Sequence, residues 1–478
     1  MTEDRLDRMG AFDAVMWGVE ADPLLRSVIV AMGVLDREPQ IDVLLDRIER
    51  MTVAVPKLRQ RVIGNPLSLV PPRWETDRNF DIGYHLKRYH VPADGTDRPL
   101  LRIAEQLAEQ DFDRDRPLWE MALVQGFDGE RAAIVIKLHH AITDGMGGMA
   151  MAATLFDLSR EPAEDLGPIP ELAEGDVLGV RQRVLNGTQF ATRALLRHGQ
   201  AIAEEAVGLA GRVVVDPGGS AVAGSAFAQS AARLLAPASE PLSPLLRGRS
   251  LSTRLAVLRV PFAALKAAAR AVGASINDGY LAAVSAGLAT YHDEHRAPCE
   301  YVRVNMPVNL RAAGDTADGN RWVPARFPMP LDSGDPVARI QRLAPLLAQA
   351  RTEPAMVLTD TVYRLLAALP QHATASISAG MMKGVDVAVT NLPGPPIPLY
   401  SAGARAELLV PFAPKGGAAV NIALMSYDGV AFVGVNIDPR AVPDPEVLVE
   451  HLRAGFDQVL AIGDPDAHAE VGVGVGVG

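Results

Sequence analysis

The sequence predicts a two-lobed α/β protein with mixed sheets. Three observations carry that expectation. The chain has 478 residues and is 48% apolar, more than one ordinary core accommodates. Short alternating apolar runs, which suit strands, interleave with amphipathic stretches, which suit helices, in both its first and its last portions. Between them the composition shifts at EPAEDLGPIPELAEGD, which is acidic and proline-bearing like a connector. The expected division is a first lobe over 1–160, a crossover over 161–250, a second lobe over 251–465 and a tail over 466–478.

Each element has a local reason. IDVLLDRIERMTVAVPKLRQRV (41–62) spaces Val43, Leu44 and Ile48 helically, and PLLRIAEQLAEQDF (99–112) is an amphipathic helix. FDIGYHLKRYHV (80–91) is strand-like. LWEMALVQGF and AAIVIKL flank Asp128-Gly129 and predict a hairpin, because Asp-Gly tolerates the positive φ of tight turns. MGGMAMAATLFDLS then predicts a helix. The crossover is expected to hold one helix over about 177–212, and a mobile small-residue stretch, DPGGSAVAGSAFAQSAA. In the second lobe, RLAVLRVPFAALKAAARAVG predicts strand then helix, SINDGYLAAVSAGLATYHDEH a helix, and YVRVNMPVNLR and VPARFPMPL strands. A helical stretch follows between about 335 and 382; then VDVAVTN, AAVNIALMSY and VAFVGVNI predict strands, the last two joined by Asp428-Gly429. Asp444 is placed to cap a final helix with Pro445 in its first turn and Leu448, Leu452, Phe456 and Leu460 on one face. The VGVGVGVG tail has no core-forming pattern and is expected to be disordered.

Composition excludes several classes. A net charge of −11 argues against a nucleic-acid binder acting through bulk charge. The single cysteine, Cys299, allows no intrachain disulfide and fits a reducing compartment. The N-terminal MTEDRLDRMGAFD lacks a basic-then-apolar leader pattern, and no run of about 18 apolar residues reads as a spanning helix. No dinucleotide loop, P-loop, CxxC, HExxH or GxSxG occurs, so no metal and no cofactor is expected. Cys299 sits in HRAPCEY without the His-Asn context of a thiol nucleophile.

The chemistry concentrates at LHHAITDG (138–145). His139 and His140 end a strand, so their side chains point to opposite sides and do not form a joint metal pair. One imidazole is left to face a cleft. A histidine with an unperturbed pKa of about 6.5 can take a hydroxyl proton near neutral pH and return it to a leaving group. His140 is the candidate base, His139 a support, Asp144 a brace, and Gly145 begins the glycine-rich exit. The plainer alternative is a surface turn, with Asp144-Gly145 as turn chemistry. Upstream, PLWE puts Pro117, Leu118 and Trp119 at a strand start, where core packing alone explains them. SIND (275–278) reads as a capping box of Ser275 and Asp278, which leaves Asn277 free near a helix N-terminus that favours negative charge. TNLPGPP (390–396) is a turn by composition.

HHxxxDG with PLWE, SIND, GNR (319–321) and TNLPGPP, in this order, resembles the bacterial wax ester synthase/diacylglycerol acyltransferase family. The likeness runs from about Phe12 to about Leu460. It places the chain in the CoA-dependent acyltransferase superfamily, with chloramphenicol acetyltransferase-like enzymes, BAHD acyltransferases and peptide-synthetase condensation domains. The resemblance implies a two-lobed chloramphenicol acetyltransferase-like architecture with His140 at the lobe interface, in a tunnel open at both ends. It matches His140 to the base and Asp144 to the residue that holds the loop, with Arg311 as candidate ion-pair partner and Arg254 as rival. Pro117, Leu118, Trp119, Asn277 and Asp278 become substrate-associated or site-supporting. The implied reaction moves a long-chain acyl group from acyl-CoA, a substrate rather than a cofactor, to diacylglycerol or a fatty alcohol. Trp322 and Arg326 are bulkier than the family pattern, which bears on chain or acceptor preference.

Three alternatives stay open: a condensation-type acyltransferase, an acyltransferase for a specialised metabolite or glycolipid, and a non-catalytic lipid-binding relative. The expected location is cytoplasmic, with peripheral attachment to the inner membrane face or to lipid droplets. Residues 177–235, with Leu195, Leu196, Ile202 and Val207 beside Arg181, Arg183, Arg193 and Arg197, are the candidate surface.

Overall fold

The computed structural model describes residues 8–64, 70–142, 145–161, 167–170, 178–179, 181–190, 192, 240–309, 322–351, 362–363, 366–367, 369 and 371–473. In chain order its strands are β1 (Val28–Leu35), β2 (Gln60–Ile63), β3 (Arg73–Thr76), β4 (Leu86–His90), β5 (Trp119–Gln125), β6 (Ala132–His139), β7 (Arg254–Pro261), β8 (Tyr301–Asn309), β9 (Trp322–Pro330), β10 (Val387–Leu392), β11 (Tyr400–Ser401), β12 (Ala404–Phe412), β13 (Val420–Tyr427), β14 (Val430–Ile437) and β15 (Glu470–Val471). Two mixed sheets dominate, a six-stranded one ordered β11-β12-β1-β6-β5-β4 and a seven-stranded one ordered β15-β7-β14-β13-β10-β8-β9. Each backs its own apolar core.

The first sheet is centred on β1 and β6, antiparallel, with Val28 opposite His139 and Leu35 opposite Ala132. Neither β1 nor β12 is among the strands expected from the sequence, yet they flank the strand that ends in the two histidines. β12 comes from the second lobe's stretch of chain and pairs antiparallel with β1, from Val30 opposite Phe412 to Leu35 opposite Ala406. Ala404, Ala406, Leu408, Val410 and Phe412 alternate inward, so the strand pattern is local. The choice of sheet is not: it depends on a partner more than 300 residues away. Residues 251–465 therefore supply all of the second sheet but β15 and also lend two strands to the first.

The two sheets approach closely where β14 passes β12. A side chain at Gly434 would place its Cβ 2.0 Å from the carbonyl oxygen of Pro411, so only glycine fits. In the second lobe the helix Ile276–Glu294 is buried along most of its length, and helix Pro445–Leu460 packs on it. There too backbones touch, since a Cβ at Gly455 would lie 2.3 Å from Ala283 O.

The turns differ from one another. Asp428-Gly429 is a tight two-residue turn with positive φ at both positions, 44° and 85°, the geometry whose twist matches a hairpin. Asp128-Gly129 instead sits within the longer 126–131 connection.

Three local expectations are corrected. Within 80–91, Ile82–His85 form a helical turn before β4, because the Asp81 carboxylate accepts from Gly83 N at 2.9 Å and starts it. Asp444 precedes the last helix but its carboxylate does not cap it: the oxygens take hydrogen bonds from Tyr291 Oη at 2.6 Å and His295 Nε2 at 2.8 Å. Within the expected tail, residues 470–473 are ordered. β15 pairs with the outer edge of β7, Gly472 N donates to Val257 O at 2.9 Å, and Val473 is buried in the first lobe's core. Glu470 and Val471 pair with a sheet edge that would otherwise be open.

Of the crossover, residues 181–190 are helical and dock on the first lobe through Arg183, which pairs with buried Glu75 at 2.9 Å, and through Phe190, whose ring lies under Arg8. Leu195, Leu196, Ile202, Val207, Arg193 and Arg197 lie outside the described residues. Among the described residues no helix is long and apolar enough to cross a membrane.

Candidate functional site

The end of β6 is held by two backbone hydrogen bonds and one side chain. Leu118 O accepts from His139 N at 3.0 Å, and Ser27 O accepts from His140 N at 2.8 Å. Lys57 Nζ reaches Ala141 O at 3.4 Å. The two histidines part company at this point, as consecutive strand residues must. His139 is fully buried. Its Nδ1 accepts from Ala141 N at 3.0 Å, which leaves Nε2 as the nitrogen bearing hydrogen, and Nε2 lies 3.0 Å from Glu20 Oε1. His140 is partly exposed, with the ring of Phe12 edge-on at 6.5 Å.

Phe12 belongs to helix Ala11–Val19, whose Phe12, Val15, Met16 and Val19 face the second lobe while Ala14 and Trp17 join the first lobe's core. Helix Gln371–Met382 packs against it, with Thr374 in contact range of Gly18, and Lys383 pairs with Asp22 at 2.5 Å. Tyr363 closes edge-on over Phe12 at 4.8 Å. His140 therefore stands at the seam between lobes. Arg326, one of the two bulky departures in GNRWVPARFP, reaches the same helix by donating to Met381 O at 2.7 Å; burial lowers its guanidinium pKa. Trp322 opens β9.

Glu20 escaped the sequence reading. It follows the helix Ala11–Val19, and its side chain is 3% exposed. Oε1 accepts from Ser27 N at 2.7 Å as well as facing His139, and Oε2 takes Arg114 Nη2 at 3.3 Å. Burial by itself would raise this carboxyl, but His139, the Ser27 N–H and Arg114 together hold it below its ordinary value. Its partner His139 is 119 positions along the chain, and nothing in the helix pattern marks it.

The remaining expected residues fall in different places. Pro117, Leu118 and Trp119 are buried beside the histidine-bearing end of β6, where β5 pairs with it. Trp119 stacks on His85 at 4.5 Å between centroids and donates from Nε1 to Leu58 O at 2.8 Å, while its carbonyl takes His85 Nδ1 at 2.7 Å. Ser275 and Asp278 form the expected capping box: Asp278 Oδ2 accepts from Ser275 N at 2.7 Å, and Ser275 Oγ from Asp278 N at 3.3 Å. Asn277 meets Asn391 of the TNLPGPP segment, whose Nδ2 donates to its Oδ1. The described contacts join Asn277 to that segment and not to the histidines. Gly145 begins helix Gly145–Leu155. Asp144 and Arg311 lie outside the described residues. Arg254, the rival partner for Asp144, binds Glu446 at 3.0 Å.

Cys299 is no activated thiol. Burial pushes its pKa up, and Sγ donates to Tyr301 O at 3.1 Å, the reverse of what a nucleophilic thiolate needs. It borders a cavity of about 460 Å³ with Leu242, Pro298 and Tyr301, which His140 does not line. Among the described residues, no group of three or more His, Cys, Asp or Glu side chains is arranged to hold a metal ion.

Comparison with known proteins follows this geometry. Residues 9–280 match the family model of the wax ester synthase/diacylglycerol acyltransferase catalytic domain, and residues 318–459 match that of the WS/DGAT C-terminal domain. A Mycobacterium tuberculosis (strain H37Rv) protein provisionally named a diacylglycerol O-acyltransferase is 36% identical over 460 residues, covering 95% of this chain and 92% of that protein. Among solved structures, the wax ester synthase/diacylglycerol acyltransferase from Marinobacter aquaeolei VT8 superposes with a TM-score of 0.63 at 19% identity, over 95% of this chain and 100% of that one. The first condensation domain of the calcium-dependent antibiotic synthetase gives 0.60 at 18% identity, over 97% and 99%. These structures share the two-lobed, chloramphenicol acetyltransferase-like fold.

Proposed function

Since this chain belongs to the wax ester synthase/diacylglycerol acyltransferase family and is an O-acyltransferase, we propose that His140 is its general base and that it moves a long-chain acyl group from acyl-CoA to an alcohol. The acceptor is diacylglycerol, giving triacylglycerol, or a fatty alcohol, giving a wax ester. The observation that carries this reading is the division of labour at the end of β6. His139 is turned fully into the first lobe, its Nδ1 taking Ala141 N and its Nε2 3.0 Å from the Glu20 carboxylate, and His140 is the imidazole presented at the seam.

In this reading acyl-CoA and the alcohol enter the seam from opposite ends of a tunnel. His140 takes the alcohol proton as the oxygen attacks the thioester carbonyl. The new C–O bond gives a tetrahedral oxyanion, which preorganised donors stabilise. The C–S bond then breaks, the carbonyl re-forms, and the imidazolium returns the proton to the departing CoA sulfur. The proton, acyl group and thiol balance without an acyl-enzyme. The lipidic substrates are met at a membrane or lipid-droplet surface by peripheral attachment; an alkaline carbonate wash should release the protein, and retention would refute that attachment.

The test is His140→Ala with palmitoyl-CoA and dioleoylglycerol or hexadecanol, following thiol release and ester formation. Turnover should fall about 10²–10⁴-fold with the fold intact. Initial-rate plots for the wild type should intersect, as for a ternary complex. A folded His140→Ala enzyme with more than about a tenth of wild-type turnover, or a parallel kinetic pattern, would overturn the reading.

A further inference from the structure

We infer that Glu20 is a positioning residue for His140, acting through the geometry of a single carboxylate oxygen. The inference rests on the reading of His140 as base. Oε1 of Glu20 has two neighbours, Ser27 N at 2.7 Å and His139 Nε2 at 3.0 Å. Each leads to His140 by a different route. Ser27 passes the constraint through its own carbonyl, which accepts from His140 N at 2.8 Å. His139 passes it along the chain: its other nitrogen takes Ala141 N at 3.0 Å, so the residues on either side of His140 in the turn are fixed to one ring.

One buried oxygen thus sets the backbone on both sides of the reactive imidazole, from the face opposite the partly exposed ring. The helix Ala11–Val19 that delivers Glu20 also carries Phe12, whose ring lies edge-on to that of His140 at 6.5 Å between centroids. Packing of this helix against Gln371–Met382 of the second lobe therefore sets the backbone and the ring of His140 together. Arg114 lies on the other oxygen, Oε2, and its side chain is 41% exposed. The geometric role accordingly belongs to Oε1 alone.

This separation makes the inference testable, because glutamine keeps an oxygen acceptor at Oε1 and alanine does not. Activity is read with acyl-CoA and an alcohol acceptor on the full chain, with folding checked by circular dichroism. Glu20→Ala should lower kcat about tenfold or more at unchanged KM for both substrates, the order of loss expected from a small misplacement of a reacting group. Glu20→Gln should keep kcat within about threefold of wild type, because its amide oxygen fills the same place. In a His140→Ala background, Glu20→Ala should remove nothing further. If Glu20→Ala does not fold, Glu20→Asp takes its place, since it withdraws the carboxylate by one carbon–carbon bond and should lower kcat at unchanged KM. Wild-type kcat in a folded Glu20→Ala or, in that case, Glu20→Asp enzyme would overturn the inference. So would a Glu20→Gln enzyme as slow as the alanine variant, or an equal loss in the His140→Ala background. Wild-type turnover by His140→Ala alone would instead refute the assignment of the base, a result separable from any effect at Glu20.

Discussion

Asn277 and Asn391 share a 2.5 Å hydrogen bond, from Asn391 Nδ2 to Asn277 Oδ1. The bond ties the first turn of helix Ile276–Glu294 to β10 and joins two motifs 114 residues apart. Substituting either residue by alanine should destabilise the protein, and the double variant should lose less than the sum. A coupling of about 0.5–1.5 kcal/mol is expected from denaturant unfolding of the cycle. Strict additivity would mean that the pair is not coupled in solution.

Trp119 is a stability residue. Its indole is completely buried, stacks on His85 and donates to Leu58 O. Trp119→Ala should cost about 3–5 kcal/mol, and Trp119→Phe less, since it keeps the stack and loses the N–H bond. A Trp119→Ala protein with wild-type unfolding but altered substrate preference would place this residue in the substrate path rather than in the core.

Asp144→Asn should lower turnover and melting temperature together. The residue lies four positions after His140 in HHxxxDG, and the resemblance assigns it a brace. Loss of a charge-assisted hydrogen bond is worth about 1.5–3 kcal/mol. Calorimetry alongside an activity assay checks it: a variant equal to wild type in both would remove Asp144 from the machinery.

The tail contributes to stability by strapping one lobe to the other. Val471 pairs with β7, while Val473 N donates to Asp97 Oδ2 at 2.6 Å and its carbonyl accepts from Arg131 at 3.3 Å. Deleting 466–478 should lower the melting temperature by about 1–2 °C, the effect of about 1–2 kcal/mol in a chain of this length. It should also leave the β7 edge open to intermolecular pairing, visible by light scattering. Unchanged melting and solubility would show that the strap is dispensable.

The pair of His295 and Asp444 makes one interhelical contact pH-dependent. A hydrogen bond to Tyr291 O and the Asp444 carboxylate raise the His295 pKa above its ordinary 6.5. Because the folded value is the higher one, the stabilisation is complete below pH 6.5 and is lost as pH rises through the raised value. The melting-temperature difference between wild type and His295→Ala should therefore be larger at pH 5.5 than at pH 9. An equal difference at both pH values would show that His295 carries no proton-linked stability.

Part of the candidate site's geometry was legible because its grammar is local. A strand ending in two histidines must send them to opposite faces, and a Ser-x-x-Asp before an apolar helix must reach back on itself, so the parting of His139 from His140 and the Ser275–Asp278 box could be framed from spacing alone. Glu20 could not, since its meaning lies in an oxygen that touches Ser27 and His139, and no periodicity encodes that. Asp444 misled for a related reason: its position is that of a cap, but Tyr291 and His295 from another helix compete for the carboxylate.

The sequence by itself determined the order of most strands and helices, the division into two lobes and the family. These follow from side-chain periodicity, turn chemistry and motif spacing, each set within a few consecutive residues. Only the tertiary structure decided that β12 crosses to the first sheet, that the valine-glycine tail straps β7, and that Phe12 and Glu20 meet the histidine pair from one helix. Those outcomes turn on which hydrogen-bonding edge and which apolar face remain open when the rest has packed, a property of the whole chain that no local window contains.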